Sequence, residues 1–125
     1  MKKVISTSNA PAAIGPYSQA IEAGNLVFLS VMLPIDPFLG NMVTGNIAIQ
    51  TEQILKNIEA LLKQAGCSMG QVVKTTVFLT DMALFSEMNE VYARYFTNDY
   101  PARSAVAVKE LPKNSQIEIE VIAMK

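Results

Sequence analysis

The sequence predicts an α+β fold, a β-sheet with two helices layered on one of its faces. Three observations carry that prediction. Apolar residues recur at helical spacing in two windows, while the other apolar segments read as strands. The elements follow one another as β-β-β-α-β-α-β-β, with glycine- and proline-bearing breaks between them. The last strand, QIEIEVIAM, alternates apolar and acidic residues over Ile117, Glu118, Ile119 and Glu120, which places both glutamates on one face.

KVIST at 3–7 is a short strand. NAPAAIGP at 9–16 is a loop punctuated by proline and glycine, and YSQAIEA at 17–23 extends from it. Gly24-Asn25 supplies a turn into LVFLSVML at 26–33, a nearly continuous apolar strand, so these two segments form a hairpin. PIDPFLG breaks the pattern. Ile47, Thr51, Ile54, Leu55, Ile58, Leu61 and Leu62 then share one helical face, and Gly66 suits the stop. VVKTTVFLT at 72–80 alternates as a strand. Asp81 is placed to cap a second helix, with Leu84, Phe85, Met88, Val91, Tyr92, Tyr95 and Phe96 on its inner face. Residues 103–109 and 116–124 end the chain as a hairpin turning on LPKNS. In that hairpin Ala107 falls beside Glu118, and Arg103 lies on the order of 14 Å away along the strand.

A chain of 125 residues, half of them hydrophobic and 17% charged, is read as one domain, 1–125, with a secure core. Two helices cover only one face of the sheet. If Ile117, Ile119 and Val121 face them, Ile122 and Met124 do not, and the uncovered face predicts self-association with closed symmetry. Net charge is −1, and the longest basic run is Lys2-Lys3. No nucleic-acid surface is advertised. Cys67 stands alone, which fits a reducing compartment. MKKVIST meets polar residues before any signal-length apolar stretch, and no window is long enough to span a membrane, so a cytoplasmic protein is expected.

The chain has no histidine. That removes an imidazole base, a histidine metal ligand and a Ser-His-Asp triad, and one cysteine builds no thiolate zinc site. No phosphate-cradling glycine motif occurs. Catalysis is left to carboxylates, Arg, Lys, Tyr, hydroxyls, backbone groups and water. Arg103, in PARSAVAV, either bridges a protein acid at a strand end or waits for an anionic ligand. Glu118 and Glu120 share one sheet face, where they need water, a partner or a task. Tyr17 follows Gly15-Pro16, which aims its phenol; the alternative is a packed aromatic with a wet hydroxyl. Ser30 in an apolar strand donates to a ligand or to backbone. Asn89 lies on the second helix opposite Tyr92, and Cys67 reads as a neutral packing residue.

The strings APAAIGPYSQAI, LPIDP, QTEQILKNIEALLKQAG, VVKTTVFLTDM, MNEVYARYF, PARSAVAV and LPKNSQIEIEVIA together resemble the reactive intermediate deaminase (Rid, or YjgF) family. Older labels for that family are endoribonuclease and translation inhibitor. The resemblance covers essentially the whole chain. It implies a chorismate-mutase-like mixed sheet, a homotrimer with clefts between subunits, and no metal or organic cofactor. It also implies hydrolysis of 2-enamino and 2-imino acids, such as 2-aminoacrylate and its imine tautomer, to a 2-keto acid and ammonia. By motif, Arg103 would clamp the substrate carboxylate and Glu118 would polarise the attacking water. Tyr17, Ser30 and Asn89 would line the cleft, with backbone groups near Val31 and Ala105. The family usually has Ser-Gly-Gln where this chain reads Ser30-Val31-Met32, and cysteine where it has Ala105. A branched side chain in place of glycine narrows the approach of a ligand. A ribonuclease or a non-catalytic ligand-binding trimer are the alternative functions.

Overall fold

The first helix begins where a side chain can satisfy an orphan amide. Asn46 accepts a hydrogen bond from the Ile49 N–H at 3.1 Å. Helix α1 then runs over Ile47–Gln64. It ends in a Schellman turn, with the Gly66 N–H on Lys63 O and the Cys67 N–H on Leu62 O at 2.8 Å. Gly66 has φ +80°, a conformation that costs glycine nothing. Helix α2 spans Phe85–Tyr95. Asp81 caps where expected, accepting from the Ala83 N–H, but it starts the 3-10 turn Met82–Leu84, so α2 proper begins one turn later.

The computed structural model describes residues 1–125. Its strands are β1 (Lys3–Ile5), β2 (Ala20–Ala23), β3 (Leu26–Leu29), β4 (Val72–Leu79), β5 (Ala102–Ala107) and β6 (Ile117–Met124). They form one six-stranded sheet in the order β1-β2-β3-β6-β4-β5. Both helices pack on the same face. There Ile54, Leu55, Ile58, Leu61 and Leu62 of α1 meet Val77, Leu79, Ile117, Ile119 and Val121 of the sheet in one buried cluster. The α+β expectation, with two helices on one face of a mixed sheet, is met.

The expected hairpin between the last two strands is not formed. β6 lies between β3 and β4 and is antiparallel to both. β5 lies outside β4 and runs parallel to it, delivered there by the α2 crossover. Burial explains the choice. The slot left between β3 and β4 is the centre of the sheet, and β6 is almost wholly buried from Ile117 to Val121. β5 is small and exposed everywhere but Ala105, which suits an edge.

The strand expected over 26–33 stops at Leu29. The Ser30 hydroxyl donates to Ser18 O at 2.6 Å and the Ser30 N–H to Gln19 O, which draws the chain toward β2. Pairing resumes once, where Met32 meets Ile119, and the Val31 N–H between them finds no acceptor in the chain. The helix-free face carries Phe28, Val106 and Met124, all more than a third exposed. No helix is long and apolar enough to cross a membrane.

Gln19 fixes the N-terminal loop from beneath. Its Oε1 accepts from the Thr7 N–H at 2.8 Å, and its Nε2 donates to the carbonyls of Thr7, Ala10 and Pro11. Removing one partner from such a set strands the rest. Gln19→Ala is expected to cost about 1–3 kcal/mol of stability, read from the midpoint of urea unfolding at unchanged slope.

Candidate functional site

Side chains of β6 alternate, so Glu118 and Glu120 point away from the helices. Glu118 is only 7% exposed. No hydrogen bond or ion pair within the chain reaches its carboxylate; the salt bridges are Lys56–Glu52 and Lys125–Glu22. Burial raises its carboxyl above the usual glutamate range, and the nearby Glu120 charge raises it further. The two carboxylates border a cleft of ≈ 480 Å³ that Tyr17, Ser30 and Val31 also line. Leu33 and Pro112 complete its wall; the sequence marks neither as special, because both are brought there by connections rather than by periodic elements.

Gly15, at φ +124°, and Pro16 turn the chain so that Tyr17 is half-exposed at this cleft, its hydroxyl accepting from the Ile14 N–H at 3.4 Å. Ser30 spends its proton on backbone, the bland alternative, but its oxygen still faces the cleft as an acceptor. The Val31 side chain stands in the same wall.

Arg103 is elsewhere. It pairs in register with Thr75, which pairs with Val121, so all three point to the helix side. Its Nη1 donates to Asn89 Oδ1 at 2.6 Å, and its Cζ lies 4.7 Å from the Tyr92 ring centre and 5.2 Å from that of Phe85. No carboxylate of the chain pairs with it. The strand-end salt bridge is therefore absent, and the guanidinium sits beside a cleft of ≈ 470 Å³ lined with Asn89, Tyr100 and Pro101. Asn89 and Tyr92 both reach Arg103, so they lie on one side of α2 and not opposite one another as expected. The signal for this was the spacing of Phe85, Asn89 and Tyr92, which makes one stripe of a helix.

Glu118 pairs through Phe78 with Val106, three residues beyond Arg103. Arg103 and Glu118 are thus roughly 14 Å apart along and across the sheet, and on opposite faces of it. A hairpin would separate them by a similar distance but on one face of a ribbon; the observed register sets them on opposite faces. Ala105 shares the helix side with Arg103 and packs on the core. The Val108 N–H bonds Leu79 O, so strand alternation sends the Ala105 N–H to the free edge.

The candidate residues therefore fall at two separate clefts. One is lined by Tyr17, Ser30, Val31 and Glu118, the other by Asn89 and Arg103, and the two do not join within the chain. No group of His, Cys, Asp and Glu is arranged to hold a metal ion. Burial pushes the Cys67 thiol up, as befits a packing residue.

The six-stranded α+β fold has close counterparts among solved structures. A Rid-family protein of unknown function from Yersinia pestis matches with a TM-score of 0.98 at 49% identity, over 100% of both chains. The family model described as Endoribonuclease L-PSP matches residues 7–125. The chain belongs to this family, the Rid or YjgF proteins. A RutC family protein of Pyrococcus horikoshii is 57% identical over 100% of this chain and 99% of its own. The mouse 2-iminobutanoate/2-iminopropanoate deaminase is 47% identical over 100% of this chain and 93% of its own.

The raised Glu118 carboxyl has a consequence for stability. Its protonated form is favoured in the folded chain, so its contribution is full below the unfolded value of about 4.3 and is lost as pH rises through the raised folded value. Glu118→Gln should therefore melt higher than the parent at pH 7, with the gap closing toward pH 4. A lower melting temperature at pH 7 would mean that the ionised carboxylate is held by a favourable partner.

Proposed function

We propose that the protein hydrolyses 2-imino acids, and the 2-enamino acids that tautomerise to them, to 2-keto acids and ammonia. The site would be completed between copies of a homotrimer. One observation carries this reading: Arg103 and Glu118 each border a cleft with no ionic partner in the chain, on opposite faces of one sheet. An arginine at the exposed edge of one copy and a glutamate on the open face of another supply what neither holds alone. The deaminase name of relatives at 46–49% identity supports the choice of chemistry.

In this reading Arg103 grips the substrate carboxylate with paired N–H donors. Glu118 takes a proton from water as the water oxygen bonds to the carbon of the protonated imine. The C=N π electrons pass to nitrogen, giving a tetrahedral amino alcohol. Glu118 then returns its proton to the amine, the C–N bond breaks to release ammonia, and the hydroxyl proton passes to Glu118 as the keto oxygen forms. An iminium carbon is already electrophilic, so orientation and a modest base suffice without histidine. The raised carboxyl of Glu118 makes it a better base than an ordinary glutamate. Tyr17, the Ser30 oxygen, Asn89 and the unpartnered N–H groups of Val31 and Ala105 hold the rest of the ligand. Val31 narrows the cleft and favours short substrate side chains, as in 2-iminopropanoate and 2-iminobutanoate. No metal or cofactor enters the scheme.

The test is release of ammonia and keto acid from freshly generated 2-iminopropanoate. Glu118→Gln should lower kcat on the order of 100-fold or more, and Glu120→Gln only a few-fold. Arg103→Lys should raise KM on the order of 10-fold, because lysine keeps the charge but loses the fork. kcat/KM of the parent should fall on the acid side at a pH above the ordinary glutamate range. Equal losses from Glu118→Gln and Glu120→Gln would show that the wrong carboxylate is assigned.

A further inference from the structure

Helix α2 carries Phe85, Asn89 and Tyr92 along one stripe, and Arg103 lies against all three. Tyr92 is not free to tilt. Its hydroxyl is 2.8 Å from Thr75 Oγ1 in a buried hydrogen bond, and its ring centre is 4.5 Å from that of Phe96. Thr75 is also the residue that pairs with Arg103 across β4 and β5. One residue thus fixes both the backbone that launches the arginine and the ring on which its head rests.

An arginine on an exposed edge strand ordinarily samples many rotamers, and ordering it weakens any ligand it takes. Here two rings lie within cation–π range of the guanidinium carbon, and apart from the Nη1 bond to Asn89 its N–H donors have no partner in the chain. The bond to Asn89 sets the rotation of the fork within its own plane.

We propose that Phe85 and Tyr92 are positioning residues for Arg103, holding its guanidinium in the orientation that receives a 2-imino acid carboxylate. This rests on the reading of Arg103 as the carboxylate clamp. Phe85 and Tyr92 act through the arginine, and their apolar packing is a separate contribution. The two are separable, because loss of packing lowers stability whereas loss of orientation weakens carboxylate binding.

The experiment compares the parent, Phe85→Leu, Phe85→Tyr, Tyr92→Phe and Arg103→Ala as whole folded proteins. It measures KM and kcat with 2-iminobutanoate, and the Kd of 2-oxobutanoate by calorimetry, which needs no turnover. Phe85→Leu should raise KM and Kd roughly 3–10-fold with kcat within about 2-fold, the size of a lost cation–π contact. Phe85→Tyr should restore both. Tyr92→Phe keeps the ring and frees it from Thr75, and should raise Kd about 2–4-fold. Should Phe85→Leu fail to fold, Tyr92→Phe decides alone. A folded Phe85→Leu or Tyr92→Phe that binds 2-oxobutanoate like the parent overturns the positioning role. If the parent releases no ammonia but binds 2-oxobutanoate with a Kd that these variants raise, the deaminase reading fails and the positioning role stands. If Arg103→Ala does not weaken 2-oxobutanoate binding, the clamp fails and takes this inference with it.

Discussion

Everything in this molecule that bears on function follows from the insertion of β6 between β3 and β4. The last strand of the chain becomes the middle of the sheet, and strict alternation then sends Ile117, Ile119 and Val121 into the helices and Glu118 out of them. β5, displaced to the edge and parallel to β4, keeps Arg103 in register with Thr75 on the helix side. Two residues that a hairpin would have strung along one ribbon end up separated by the thickness of the sheet. A one-residue slip of β6 would exchange the glutamates with the core and destroy the fold, so the position of Glu118 is as firmly set as the core itself.

This arrangement leaves each cleft with an unmet electrostatic need. Glu118 is nearly buried on an apolar face without a donor, which is why its proton is held more tightly than usual. Arg103 is satisfied only by an amide oxygen and two ring faces, none of which neutralises it. A small ligand carrying both a carboxylate and a polarised carbon answers both needs at once, provided that the edge of one copy meets the open face of another. The exposed Phe28, Val106 and Met124 give that meeting an apolar driving force.

Much of this was legible in the residues. The period of Ile47 to Leu62 gave α1, Gly66 its stop, and the alternation of Ile117, Glu118, Ile119 and Glu120 gave the two faces of β6. Strand order was not legible, because a connection of LPKNS length permits a hairpin as readily as a crossing, and only tertiary burial decides between them. The early end of β3 was missed for a similar reason: LVFLSVML is uniformly apolar, and nothing local announces that Ser30 will bond Ser18. Asn89 lies on the border of the inner face of α2, one turn from Tyr92, and the apolar periodicity that marks that face is silent about a polar residue at its edge. The family resemblance nominates Arg103 and Glu118 together; the register holds them apart within one chain.

The shared site is the central claim, and complementation tests it most directly. Arg103→Ala and Glu118→Gln proteins, each inactive alone, would be co-refolded or co-expressed, and mixed oligomers verified by native mass spectrometry. If each site takes its arginine from one copy and its glutamate from another, random assembly rebuilds about one site in four, and deaminase turnover returns to a corresponding fraction of the parent. Verified mixed oligomers that stay as inactive as either variant alone would contradict the account.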